Sequence, residues 1–369
     1  MKIMVIANTS WYLYNFKLDI IKTFQNAGHT VVICAPFDDF SNKFEELGME
    51  YVRLDFSTKD TGAKSNLNTL NMFMKYVKQV APDKMVTFTI KPNIYGALAA
   101  KKLKISVLPT VTGLGSALIG GNVVKRYILK KMIKKAFRTV ESVFFQNIED
   151  EQFFVENGLI DKKQPKMIGS GVNLEDYNCN ITQGEQVSFL MVARLLKDKG
   201  VIEYFEAAEM LKMKFSDTVS IKLIGPLWED NPSAVSRESV DHYTRKGVIE
   251  YLGKLSIEEV KQEMSKASCV VLPSYKEGMS RTLLEAAALG RPLVATNVSG
   301  CREIVDEGVN GFLCKAKNGQ SLFEAMEKII ELSREVREVL GKNSRSKIER
   351  EFNQDIINLR YLREVENEF

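Results

Sequence analysis

From its first residue this chain alternates short apolar runs with helix-length amphipathic stretches, an order that few architectures other than helix-wrapped parallel sheets can satisfy. In the first half the apolar runs lie near residues 2–7, 30–35, 50–54, 84–87, 106–109 and 142–145. Between them helical patterns occupy about 15–27, 66–80, 92–102, 122–137 and 150–157. A second series restarts at Val187, with strands near 221–224, 249–252, 269–272, 292–295 and 311–314. The 369 residues are too many for one core, because single cores rarely grow past about 250–300 residues. Two doubly wound α/β domains are expected, 1–172 and 173–353, with the boundary in the turn-rich stretch GSGVNLEDYNCNITQGEQ and a last helix over 354–369.

Several function classes drop out at once. The five cysteines, Cys34, Cys179, Cys269, Cys301 and Cys314, are scattered without a C-x-x-C pair, which reads as a reducing compartment and no zinc site. The start, MKIMVIANTS, reads as a buried strand rather than a signal peptide. No run approaches the roughly 18 apolar residues of a membrane helix, so any membrane association is expected to be peripheral. Net charge is only +4, yet residues 116–140 contain no acid and seven bases: Lys125, Arg126, Lys130, Lys131, Lys134, Lys135 and Arg138. These alternate at helical spacing with Ile128, Leu129, Met132, Ile133, Ala136 and Phe137. Such a helix packs its apolar face on the sheet and shows its bases to water, to an anionic membrane surface, or to both. The stretch lacks interleaved stacking aromatics, so nucleic acid is not expected as a partner.

The chemistry concentrates in the second half. VSFLMVARLLKDKG (187–200) is a strand emptying into a basic loop with Arg194 and Lys199. Later an apolar strand turns through SYKEG into a helix, and EGMSRTLLE places Glu277 and Glu285 seven residues apart across that turn. Backbone amides from Gly278 to Leu284 are expected to lack helical partners there and to face a phosphate or sugar oxygen. Glu277 at the loop tip can reach sugar hydroxyls, and Glu285 farther down can accept from a vicinal diol such as ribose. Two acids near a helix start also do no more than complement its dipole in many proteins. The segments that follow, GRPLVATNVSGCREIV (290–305) and DEGVNGFLC (306–314), read as strand, glycine turn, short helix, tight turn and strand.

This ordered series resembles the C-terminal half of the family 4 retaining glycosyltransferases, enzymes of GT-B fold, strongly over 166–332. NTSWYLYNFK (8–17), TFTIKPNIYGALAA (87–100), TVTGLGSALI (110–119) and VFFQNIEDEQFF (143–154) look like the branch that extends lipid-linked, capsule and O-antigen glycans with galactose or N-acetylhexosamine. The resemblance implies two Rossmann-like domains facing across a cleft, acceptor on the first and nucleotide-sugar on the second, with the last helix crossing back to the first domain. It assigns Arg194 and Lys199 to the donor diphosphate and Glu285 to the ribose. Glu277 would lie by the transferred sugar, stabilising positive charge at its anomeric carbon, so that Glu277, Lys199 and Arg194 form the catalytic set. The amides of Gly278, Met279, Ser280, Thr282 and Leu283 would take sugar and phosphate oxygens, and the turn with Lys254 and Leu255 would face the base.

For the acceptor, Asn8, Trp11, Tyr12, Asn15 and Phe16 follow the first strand, Lys91 and Asn93 the fourth, and Thr112 and Gly113 the fifth; aromatics supply faces for sugar rings and amides partners for hydroxyls. Many family members carry a histidine after the fifth strand, but here that region reads LPTVTGLGS; His29 is expected to be structural and His242 has no assigned role. The chain has no D-x-D metal motif, and no metal or other cofactor is expected. The expected activity is a metal-independent, retaining transfer from a nucleotide-sugar, with UDP favoured, to a polyprenyl-diphosphate-linked saccharide, on the inner face of the cytoplasmic membrane. A nucleotide-sugar 2-epimerase of the same fold, or a nonenzymatic sugar- or membrane-binding relative, is the alternative.

Overall fold

The structure is a computed structural model that describes residues 1–54, 63–114, 118, 122–177 and 186–366. Cys179 and the last residues of the expected closing helix lie outside them. The chain divides into two compact units, Met1–Gly169 with Asp355–Phe369, and Ser170–Gln354. Division falls before Val172 rather than after it, because Val172 is buried in the core of the second unit and bridges Asn353 there.

In the first unit, β1 (Lys2–Ile6), β2 (Thr30–Ala35), β3 (Glu50–Arg53), β4 (Lys84–Phe88), β5 (Ser106–Val111), β6 (Val143–Phe145) and β7 (Pro165–Met167) form a parallel sheet in the order β3-β2-β1-β4-β5-β6-β7. Its helices are α1 (Ser10–Asn26), α2 (Ser41–Glu46), α3 (Ala63–Val80), α4 (Ile90–Leu103), α5 (Val123–Phe137) and α6 (Ile148–Glu156). The central strands are predominantly apolar because both faces are covered. Along β1, Met4 and Ile6 enter one core with Val32 and Cys34, while Ile3 and Val5 enter the other with Val31 and Ile33. The short, largely exposed β7 carries too few apolar residues to announce itself in the sequence.

In the second unit, β8 (Val187–Val192), β9 (Val219–Ile224), β10 (Glu250–Tyr251), β11 (Cys269–Leu272), β12 (Leu293–Thr296) and β13 (Gly311–Cys314) form a parallel sheet in the order β10-β9-β8-β11-β12-β13. Around it lie α7 (Val201–Phe215), α8 (Arg237–Arg245), α9 (Ile257–Lys266), α10 (Arg281–Ala288), α11 (Gly319–Glu331) and α12 (Arg334–Lys347). Fully buried Arg291 donates to the carbonyls of Leu289, Ser265 and Ala267 at 3.0–3.2 Å, so one cation meets the negative ends of both α9 and α10. The short helix expected around Cys301 is a run of turns instead.

The last helix, α13 (Gln354–Glu366), completes the first unit. Tyr361, wholly buried, packs on Phe88 and edge-on to Phe144 at 5.0 Å, and its hydroxyl meets Thr110 Oγ1 at 3.1 Å. Lys84 Nζ caps the helix end by donating to the carbonyls of Glu364 and Val365. Two other expectations are corrected. α1 begins at Ser10, five residues early, because Thr9 accepts from the Tyr12 amide as an N-cap. On α5, Ile133, Ala136 and Phe137 are buried, but Ile128 is turned outward and 49 % exposed.

Candidate active site

The basic loop after β8 is held by glycines that bring strand ends together. Gly225, at φ +152°, lies so close to Ala193 that a Cβ there would sit 1.7 Å from the Ala193 carbonyl oxygen. Its amide donates to the Gly253 carbonyl at 2.9 Å, so the ends of β8, β9 and β10 stack. Beyond Arg194 the loop pairs with the segment after β9: Lys197 donates to Ser233, and Val235 to Leu195. Gly200, at φ +75°, then presses on Pro273 at the end of β11, and the Tyr275 amide donates to the Asp198 carbonyl. These contacts deliver Lys199 Nζ to 2.5 Å from Glu277 Oε1, with both side chains largely buried.

Glu277 is backed from the other side by the turn after β12. A Cβ on Gly300, whose φ is +80°, would meet the Glu277 backbone at 2.8 Å. Glu303 fixes that turn by accepting from the Gly300 amide at 2.7 Å and the Ser299 hydroxyl at 3.0 Å. The Gly300 carbonyl in turn accepts from the Ser280 amide, and Thr296 Oγ1 donates to the Ser274 carbonyl. Ser280 caps α10 by accepting from the Leu283 amide. The expected run of unpartnered amides therefore shrinks: those of Ser280, Leu283 and Leu284 are occupied, and the Leu283 side chain lies in the core. The amides of Met279 and Thr282 have no backbone partner among the described residues. Thr282 Oγ1 donates to the Val192 carbonyl, tying α10 to the end of β8. Lys254 is exposed, and Leu255 packs partly on the core beside the Gly253 turn.

Glu285 points into a second small network. Arg281 Nε donates to its Oε1 at 2.7 Å, and the buried Tyr177 phenol lies beside both side chains. Burial pulls the Arg281 pKa down, but the Glu285 charge and hydrogen bond more than offset it and leave it raised. Burial first, then the Glu285 charge, pushes the Tyr177 phenol well up. Arg194 makes no ion pair among the described residues; its guanidinium lies 4.8 Å from the Trp228 ring centroid. Neither Tyr177 nor Trp228 was singled out by motif. Trp228, 42 % exposed in the polar loop WEDNPS and three residues after the strand-end Gly225, is the position whose residue type signals a role. Trp228→Ala is expected to lower kcat/KM for the donor about two- to fivefold, the worth of an exposed cation–π contact, with no added loss in an Arg194→Ala background. Steady-state kinetics on the four-member cycle checks this.

In the first unit, sheet order makes β1, β4 and β5 neighbours, so the loops after them share one edge. Asn8, Thr112 and Gly113 sit there, with Lys91 in the first turn of α4. Trp11 and Phe16 lie on α1 and meet edge to face at 5.1 Å; Trp11 remains 47 % exposed. The Tyr12 hydroxyl lies near the Thr112 side chain, and burial raises its pKa. Asn15 Nδ2 donates to the Trp11 carbonyl, a bond within the helix. Asn93 is removed from the acceptor set: wholly buried, it accepts from Thr87 Oγ1 and donates to the Thr110 carbonyl, both at 2.8 Å. His29 meets Glu366 Oε1 at 3.2 Å beside the start of β2, and His242 packs edge-on to Tyr243 on α8. Of the basic side chains on α5, Lys130 donates to Asn157 Oδ1, while Lys125, Lys131, Lys134, Lys135 and Arg138 are exposed and Arg126 is partly so. Burial drives the thiols of Cys34, Cys269 and Cys301 strongly up and that of Cys314 to about 12.

Two family models match the chain: "Glycosyl transferases group 1" over residues 180–347 and "Glycosyl transferase 4-like" over 2–147. A relative from Campylobacter jejuni, N,N'-diacetylbacillosaminyl-diphospho-undecaprenol alpha-1,3-N-acetylgalactosaminyltransferase, is 29% identical over 98% of each chain. The Escherichia coli enzyme UDP-Gal:alpha-D-GlcNAc-diphosphoundecaprenol alpha-1,3-galactosyltransferase is 25% identical over 78% of this chain and 76% of its own. Among solved structures, Anabaena Alr3699/HepE in complex with UDP superposes with a TM-score of 0.79 at 18% identity, covering 99% of both chains. A glycosyltransferase from Rickettsia africae gives 0.80 at 19% identity, covering 100% of this chain and 99% of its own.

Proposed function

The chain belongs to the group 1 glycosyltransferases, and from that premise we propose that it moves a hexose or N-acetylhexosamine from a UDP-sugar to a saccharide carried on a polyprenyl diphosphate, in the assembly of a bacterial surface glycan. The reaction retains configuration and needs no metal ion. The observation that carries this reading is the Lys199–Glu277 ion pair at the mouth of α10, with Arg194, which has no ion-pair partner among the described residues, on the adjoining loop. A departing diphosphate accumulates negative charge, and the two cations with the Met279 and Thr282 amides stabilise it without a metal. Lys199 can swing from Glu277 to a phosphate oxygen, leaving the Glu277 carboxylate beside a positive anomeric carbon. The acceptor hydroxyl oxygen bonds to the anomeric carbon on the face from which the diphosphate leaves with the bonding pair. A phosphate oxygen takes the hydroxyl proton, so no protein nucleophile is required. Glu285, held at one oxygen by Arg281, presents the other to the ribose hydroxyls, and the Gly253–Leu255 turn faces the base. Trp11, Tyr12, Lys91 and Thr112 meet the acceptor.

The relatives named above act on undecaprenyl-diphosphate-linked sugars, which supports that acceptor class. No helix among the described residues is long and apolar enough to cross a membrane. We assign the basic side of α5, with Lys125, Arg126, Lys130, Lys131, Lys134, Lys135 and Arg138, to contact with the anionic inner face of the cytoplasmic membrane, on the charge it carries. A panel of UDP-sugars with an undecaprenyl-diphosphate-linked saccharide, run with chelator and followed by the anomeric configuration of the product, tests the reaction. Inversion, or activity only with a divalent ion, rejects it. Glu285→Gln is expected to raise the donor KM about tenfold with kcat changed less than about threefold, the loss of a charge-assisted bond made equally in ground and transition states.

A further inference from the structure

Helix α5 follows β5 and precedes β6 in a parallel sheet, so it runs back from the edge that carries the acceptor loops to the opposite edge. Its outward stripe changes character along the way. Val124, Tyr127 and Ile128, all exposed, occupy the first turns, and Lys131, Lys134, Lys135 and Arg138 continue the same face at helical spacing. Lys131 Nζ lies 5.4 Å from the Tyr127 ring centroid, where the two halves meet. Around the cationic half there is a cavity of about 620 Å³, to which α4 contributes Lys101 and the loop after α6 one acid, Asp161. The wall at Gly158 is close: a Cβ there would lie 3.6 Å from Lys134 Nζ.

The charges in this cavity are not compensated from within. Lys131 and Lys135, and Lys134 and Arg138, are like-charged neighbours four residues apart on one helix, a spacing that opposes helix formation. The negative ends of α5 and α4 ease this for Lys134 and Lys135 and for Lys101, but supply no carboxylate partner to any of them. None of the five bases forms an ion pair with a carboxylate among the described residues, Asp161 included. Gln164 turns its amide inward to the carbonyls of Phe137 and Val140. We propose that this cavity binds the phosphate of an anionic phospholipid headgroup, with the apolar half of the stripe entering the adjacent acyl boundary. A free phosphate would give the cations a partner but leaves the exposed Val124, Tyr127 and Ile128 unexplained. The proposal rests on the membrane-surface reading above and narrows it from diffuse attraction to a built pocket.

The test uses the full chain and no turnover, so its failure is distinct from failure of the transfer reaction. Partition onto phosphatidylglycerol vesicles is compared with partition onto phosphatidylcholine vesicles for wild type, K134Q/R138Q in the pocket, and K125Q/K130Q outside it, after thermal unfolding shows that all three are folded. The pocket pair is expected to lose about tenfold or more of its phosphatidylglycerol binding, and at least severalfold more than the control pair. Equal losses mean diffuse charge and overturn the pocket. Stabilisation of the wild type by inorganic phosphate, lost in K134Q/R138Q while the vesicles bind both proteins equally, overturns the lipid assignment in favour of a soluble anion. Y127S/I128S is expected to weaken binding to both vesicle types, and unchanged binding removes the apolar half of the proposal.

Discussion

Lys199→Ala is expected to lower kcat by about 10²–10³-fold, the usual consequence of removing one preorganised group that stabilises developing charge. The loss should persist at saturating donor, since the charge on the diphosphate oxygens grows as the bond to the sugar breaks. Substitution also leaves Glu277 without its 2.5 Å partner in a largely buried position, where an uncompensated carboxylate would repel the phosphate. The double variant K199A/E277Q separates these causes. If repulsion alone were responsible, it would turn over as fast as Glu277→Gln alone, which lacks only the carboxylate; it is expected instead to stay well below Glu277→Gln and within about tenfold of Lys199→Ala. Lys199→Arg, which keeps the charge with a longer fork, should recover part of the rate. A kcat within about threefold of wild type for Lys199→Ala, measured at both limiting and saturating donor, would take Lys199 out of the chemistry.

Gly225→Ala is expected to cost about 3–5 kcal/mol in the second unit, combining overpacking with backbone strain at a non-glycine residue of positive φ. The new methyl would begin 1.7 Å from the Ala193 carbonyl oxygen, and what it meets is backbone, which cannot rotate away as a side chain can. For a unit of this size the shift is roughly 6–20 °C in Tm. Gly247→Ala supplies the control, because Gly247 also has positive φ, +67°, but nothing lies within 4 Å of its Cβ position. It should lose only about 1–2 kcal/mol. Equal Tm values for the two variants would show that the strand ends are not packed as tightly as described. Where Gly225→Ala still folds, donor KM should rise as well, since Arg194 directly follows the displaced residue.

Much of this fold could be read from the chain because its central strands are covered on both faces. Runs such as VVICA and CVVL have no polar alternation to confuse them with surface strands, and their spacing carries the parallel connection. Failures occurred where pattern carries little energy. β7 is an edge strand with few apolar residues, and the start of α1 is set by one hydroxyl cap. Arg194, Lys199, Glu277 and Glu285 could be nominated from the sequence because charges at strand ends follow motif spacing, and the structure brings Lys199 against Glu277. Asn93 was misread because its burial depends on Thr87 and Thr110, two different strands brought beside it by the sheet order. Tyr177 and Trp228 were missed for the same reason: each acts on a residue distant in sequence, and no local periodicity records that contact.

Tyr361 and Lys84 also bear on the order in which the protein can mature. The first unit draws its final covering helix from the far end of the described chain, whereas everything in the second unit is encoded between the two pieces. During synthesis on the ribosome, Phe88 and Phe144 emerge early and wait, without the last helix, while the whole second unit is translated. The half made later is thus able to finish first, and the half made earlier depends on the arrival of the last helix, which places the nascent enzyme's greatest exposure to chaperones and proteases on its N-terminal side.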